Sequence, residues 1–83
     1  MKILYFAHFR EKTNVAEEII DLPNGVTDVK SLIEWLVSRN AAFADAFSDQ
    51  EYVRVAGNQE HVEFDMPVKK DDEIAVFPPM TGG

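Results

Sequence analysis

Residues 2–9, KILYFAHF, alternate as a β-strand does, with Ile3, Tyr5 and Ala7 on one face and Leu4, Phe6 and His8 on the other. Both faces carry apolar groups. REKTN reads as a turn and VAEEIIDL, residues 15–22, as a second strand, so the opening is a hairpin. Pro23-Asn24-Gly25 then breaks the chain. Thr27 or Asp28 can N-cap the next element, because a short side-chain oxygen there accepts from an otherwise unpaired backbone N–H. Val29, Leu32, Ile33, Leu36 and Val37 follow at i, i+3, i+4, i+7 and i+8, one apolar stripe on a helix of about three turns. Phe43 and Phe47, four apart in AAFADAF, mark a further short helical turn.

EYVRVAGNQEHVEF, residues 51–64, predicts strand, turn and strand, with Gly57-Asn58 as the two-residue turn. KKDD is another turn, and EIAVF the last strand, stopped by Pro78, which has no N–H to donate to a ladder. Strand, strand, helix and three strands bury one helix stripe against one face of a mixed sheet. The expected class is α+β, a ubiquitin-like β-grasp, with residues 1–79 as the domain and 80–83 as an extended tail. One helix covers only one sheet face. With Ile3, Tyr5, Ala7, Ile74 and Val76 inward, Leu4, Phe6, Ala75 and Phe77 point away from it. The first and last strands of a β-grasp are neighbours, so Phe6 and Phe77 should lie close and form a binding patch. Arg54, between Val53 and Val55, shares that face and suits pairing with an acidic group of a partner.

Composition narrows the chemistry. The 83 residues make one small domain with an ordinary hydrophobic fraction of 46%. Without cysteine there is no disulfide scaffold, thiolate metal site or cysteine nucleophile, and His8 and His61 are too few and too separate for zinc. No apolar run reaches membrane length and the N-terminus is unlike a signal peptide, so a cytoplasmic protein with no membrane partner is expected. The net charge of −7 argues against nucleic acid and fits a partner with a basic surface.

The chain closes on FPPMTGG. Pro78-Pro79 favours polyproline II and stiffens the exit from the last strand. Met80 to Gly83 then span at most about 13 Å. Thr81 is small, and Gly82 and Gly83 have no Cβ, so this segment can enter a slot too narrow for other residues. The one reactive group at the tip is the terminal carboxylate of Gly83. An ATP-dependent enzyme can activate it as an acyl-adenylate, which then accepts sulfur or an amine. No base, nucleophile or metal ligand lies at a catalytic spacing, so the chain is not expected to catalyse alone.

DDEIAVFPPMTGG resembles the ending of the MoaD family, the small, ubiquitin-like sulfur carrier subunits of molybdopterin synthase, and ILYFAHFRE is similar to that family's start. The resemblance implies that Gly83 is adenylated by an E1-like (MoeB-like) enzyme using ATP and converted to a thiocarboxylate. Thr81 and Gly82 then thread the active site of a large (MoaE-like) subunit. Sulfur passes to cyclic pyranopterin monophosphate, twice per molybdopterin, within a heterotetramer; the chain itself binds no cofactor. Phe6, Arg54, His61, Phe77 and Met80 are the implied partner-facing residues. His61 stands where relatives often have an apolar residue. Asp71 replaces a glycine usual before Asp-Glu and tolerates a left-handed turn. Gly57 replaces a branched residue, which is expected to loosen that strand end. Three other readings share the ending: a modifier conjugated through Gly83 to lysines, a sulfur carrier for another thiolation pathway, and an interaction module without chemistry.

Overall fold

The computed structural model describes residues 1–79. In chain order these form β1 (Lys2–Tyr5), α1 (His8–Thr13), β2 (Glu17–Ile19), α2 (Val29–Val37), α3 (Ala41–Ala46), a 3-10 turn (Gln50–Tyr52), β3 (Arg54–Gly57), β4 (Glu60–Val62) and β5 (Glu73–Phe77). The sheet order is β2-β1-β5-β3-β4, with β1 and β5 parallel at the centre and the other pairs antiparallel. The first and last strands are therefore neighbours, as the β-grasp reading requires.

Asp28 is the cap of α2. Its carboxylate accepts from the Ser31 N–H at 2.8 Å while the Ser31 hydroxyl accepts from the Asp28 N–H at 3.1 Å. Two orphan donors are satisfied reciprocally, which sets the helix start. From there Val29, Leu32, Ile33 and Leu36 are buried against the sheet face carrying Ile3, Tyr5, Val55, Ile74 and Val76. α3 starts on Asn40, whose side chain accepts from the Phe43 N–H at 3.1 Å, and it buries Phe43, Ala46 and Phe47 in the same core.

The opening departs from a plain hairpin. β1 stops at Tyr5 because Ala7, expected to point inward, takes φ 52° and ψ −129°, which turns the chain out of the sheet and leaves Ala7 exposed. His8 to Thr13 are then helix instead of strand end and turn. Arg, Glu and Lys are good helix formers, and Asn14 in the left-handed region (φ 61°) closes the element. Phe9 points from α1 into the core with 0% exposure.

The β3–β4 turn is shifted by one residue. Asn58 (φ 52°) and Gln59 (φ 72°) supply the paired positive φ that a two-residue hairpin needs, while Gly57 pairs with Glu60 and Ile74 inside the sheet. Met66 packs over Gly57: a Cβ there would meet Met66 Cε, the flexible end of that side chain, at 2.8 Å, so the methionine tip would have to shift. The strand end is tied down, because Asn58 donates to Glu73 O at 2.8 Å and its side chain accepts from Glu73 N at 3.0 Å. Asp71 is absent from the described residues with positive φ, so it is not in the left-handed turn expected of it. Residues 50–52 are a 3-10 turn where a strand was expected to begin.

One charged cluster ties β1 and β2 to Arg39, just past the end of α2. The Tyr5 hydroxyl donates to Glu18 at 2.6 Å, and Arg39 donates twice to the same carboxylate, at 2.8 and 2.9 Å. The guanidinium lies 4.8 Å from the Phe43 ring centre and 5.1 Å from that of Trp35. Burial raises the Glu18 pKa, but the hydrogen bonds from Arg39 and Tyr5 and the Arg39 charge outweigh it and leave it below its ordinary 4.5. A depressed carboxylate stabilises the fold above the unfolded pKa, and that contribution is lost as pH falls through the folded value. The stability advantage of the native chain over Glu18→Gln is therefore expected to be largest near neutrality and to shrink below about pH 4.5. Urea midpoints measured from pH 7 to pH 3 on both chains check this.

Candidate partner interface and the root of the tail

The sheet face turned away from α2 follows from the pairing register. Leu4 lies beside Ala75, Ala75 beside Ala56, and Ala56 beside His61, which makes one low row across four strands. In the next row Arg54 pairs with Phe77. The Phe6 N–H donates to Val76 O at 3.0 Å, so the parallel register carries Phe6 alongside Phe77. Phe6 is 47% exposed. His61 and Phe77 meet edge-on with ring centres 6.2 Å apart. Arg54 is braced at this end of the sheet by donating to the carbonyls of Glu51 and Val53, both at 3.0 Å. Four residues expected to face a partner, Phe6, Arg54, His61 and Phe77, thus share one surface. Ala56 belongs to it too, and its parity in RVAG signals this.

Away from the aromatics the face becomes charged. Lys2 pairs with Glu17 at 3.1 Å, and Glu73 lies beside Lys2 in the register. The apolar part therefore sits at the end of β5 from which the tail departs. Small alanines flanked by aromatics make a flat surface that another β-sheet or an apolar patch can approach closely.

The tail root lies in a separate shallow cleft of about 310 Å³. Pro78 lines it with His8 and Lys12 from α1, Asp45 from α3, Ser48 just beyond α3, and Tyr52. Lys12 and Asp45 form an ion pair at 3.1 Å, and Tyr52 is 54% exposed. This cleft was not legible from sequence, since three separate segments build it. Met80, Thr81, Gly82 and Gly83, the remaining candidate residues, lie outside the described residues. Among the described residues, no group of three or more His, Asp or Glu is placed to hold a metal ion, and no helix is long and apolar enough to cross a membrane.

A model of the ThiS family matches residues 3–83. The chain belongs to this family. It is 36% identical to the molybdopterin synthase sulfur carrier subunit of Escherichia coli K12 over 100% of this chain and 99% of that one. Among solved structures, a putative molybdopterin converting factor subunit 1 from Pyrococcus furiosus is 35% identical, with a TM-score of 0.74 over 95% of each chain. SAMP1 from Haloferax volcanii is 25% identical, with a TM-score of 0.76 over 99% of this chain and 97% of that one. The ThiS-family assignment and the ubiquitin-like β-grasp agree with the sheet order, and the family match runs through Gly82-Gly83.

Proposed function

We propose that this ThiS-family chain is the sulfur carrier subunit of a molybdopterin synthase. The observation that carries the reading is full-length similarity to a subunit of that name, with the family match extending through the terminal Gly-Gly. In the reaction, a carboxylate oxygen of Gly83 attacks the α-phosphorus of ATP on an E1-like (MoeB-like) enzyme, and pyrophosphate leaves. A sulfur donor then displaces AMP, giving the thiocarboxylate. Its sulfur is polarisable and anionic near neutral pH, and it attacks cyclic pyranopterin monophosphate in the large (MoaE-like) subunit. Two charged carriers are used per dithiolene. The chain contributes no catalytic side chain; it presents the tail, and ATP is consumed by the activating enzyme.

The outer sheet face is the docking surface in this reading. Its aromatics sit next to the departure point of the tail, so docking aims the tip. Phe77→Asp places a charge in the centre of the patch and is expected to weaken binding to the large subunit at least ~30-fold, about 2 kcal/mol. Titration calorimetry on the purified pair measures it. The decisive experiment for the class is the intact mass of the protein from its own cells: a species with sulfur in place of one terminal oxygen supports the carrier, and its absence in every growth condition opposes it.

Similarity to SAMP1 favours a second reading, a modifier joined through Gly83 to lysines of other proteins. A ladder of covalent adducts on denaturing electrophoresis of cell extracts would distinguish that role.

A further inference from the structure

We propose that the β4 edge of the sheet is a second docking element, which takes an extended basic segment of the large subunit as an added strand. The inference rests on the reading of the outer face as the surface that meets that subunit, and it carries the contact around the edge of the sheet. Gly57 and Glu60 flank the two-residue turn, so they exchange both ladder bonds. His61, the next residue of β4, opposes Ala56 in a non-hydrogen-bonded pair, and its N–H and C=O point away from β3. β4 is the last strand on its side, and neither group finds a backbone partner elsewhere among the described residues. One residue of an added strand can exchange two hydrogen bonds with His61.

A recess opens at the same edge. β4 pairs with β3 only as far as Val62 on Val55, after which Phe64 O accepts the Lys30 N–H at 2.9 Å and the chain leaves for the start of α2. Beside this parting is a cleft of about 470 Å³, lined by apolar Val53, Val62 and Phe64 as well as by His61 and Glu63. In an added strand the residue opposite His61 shares the outer face with it, and the next residue points to the other face, where Val62 lies. An apolar side chain there suits the recess.

Charge selects the occupant. Glu60, Glu63 and Asp65, in and just after β4, are exposed, and none is in an ion pair among the described residues. On the opposite edge strand, β2, both glutamates are already taken, Glu17 by Lys2 at 3.1 Å and Glu18 by Arg39 at 2.8 Å. A second copy of this chain laid on β4 would set these carboxylates against their like. A strand bearing lysine or arginine is attracted instead. It also continues the docking surface, because His61 meets Phe77 on the outer face.

Hydrogen exchange and calorimetry on the full chain with the purified large subunit test this. In the free chain the His61 amide should exchange freely while those of Glu60 and Val62 are protected by the ladder, and binding should slow His61 at least ~10-fold. His61→Pro removes the outward N–H at no cost in ladder bonds, since that group makes none within the sheet. It should bind at least ~10-fold more weakly than His61→Ala, which loses the same imidazole but keeps the N–H. Combined Glu60→Gln, Glu63→Gln and Asp65→Asn should weaken binding at least ~10-fold in low salt and flatten its salt dependence. An unslowed His61 amide in the complex, equal affinities for His61→Pro and His61→Ala, or unchanged binding by the triple variant each overturns the proposal alone. Failure of the native chain to bind the large subunit overturns it together with the reading of the outer face.

Discussion

Deletion of Gly83 is expected to abolish sulfur transfer while leaving the domain folded. The loss of one residue retracts the terminal carboxyl by about 3.3–3.6 Å. Misplacing a reacting group by about 1 Å costs on the order of 100-fold, so retraction by a whole residue should remove at least that much rate. The effect is confined to chemistry. Gly83 has no side chain to bury, and among the described residues the last core contribution from β5 is Val76. Thermal unfolding of the truncated and complete chains should therefore coincide. A reconstituted synthase assay checks the first half and calorimetry the second. Full activity from the truncated chain would remove Gly83 from the reaction and with it the sulfur-carrier reading.

What could be read from sequence divides according to how many elements each feature needs. α2 was legible because its stripe and its cap lie in one continuous segment, and the structure adds only that Asp28, not Thr27, is the cap. β5 was legible because strict alternation over EIAVF leaves one way to point its side chains, which the burial pattern follows. The outer surface was half legible. Parity placed Leu4, Phe6, Ala75, Arg54 and Phe77, but His61 meets Phe77 only through the register of β4 on β3, a long-range property of the pairing. Gly57 shows a different limit. Gly-Asn is a turn signal, yet Gly57 pairs inside the sheet beneath the tip of Met66, and the turn falls one residue later on Asn58-Gln59. A local signal cannot distinguish a glycine that supplies the turn's positive φ from one that ends the strand before it.

α1 is where local reading failed most, and it is also the place where a single substitution should do most damage. A helix of six residues offers too short a window for periodicity, so the HFREKT segment passed as strand end and turn. Its one anchor is Phe9, which is fully buried, with its ring 5.0 Å from that of Phe47. Thr13, one turn on, folds its hydroxyl back onto Phe9 O at 2.7 Å and is also buried, which pins the same face inward. Phe9→Ala is expected to cost about 3–5 kcal/mol, the transfer free energy of the ring plus a cavity left beside Phe47. Against the ~5–15 kcal/mol net stability of a typical domain, that is a large share. Ile19→Thr makes the contrast. Ile19 is 76% exposed on the β2 edge, so its loss should stay within about 0.5 kcal/mol. Denaturant titration of the three chains decides between two pictures of residues 6–14. If Phe9→Ala cost under about 1 kcal/mol, as for an exposed turn residue, α1 would not be packed over the sheet. Its loss would also release Lys12 from the cleft at the root of the tail, since α1 is what carries Lys12 there.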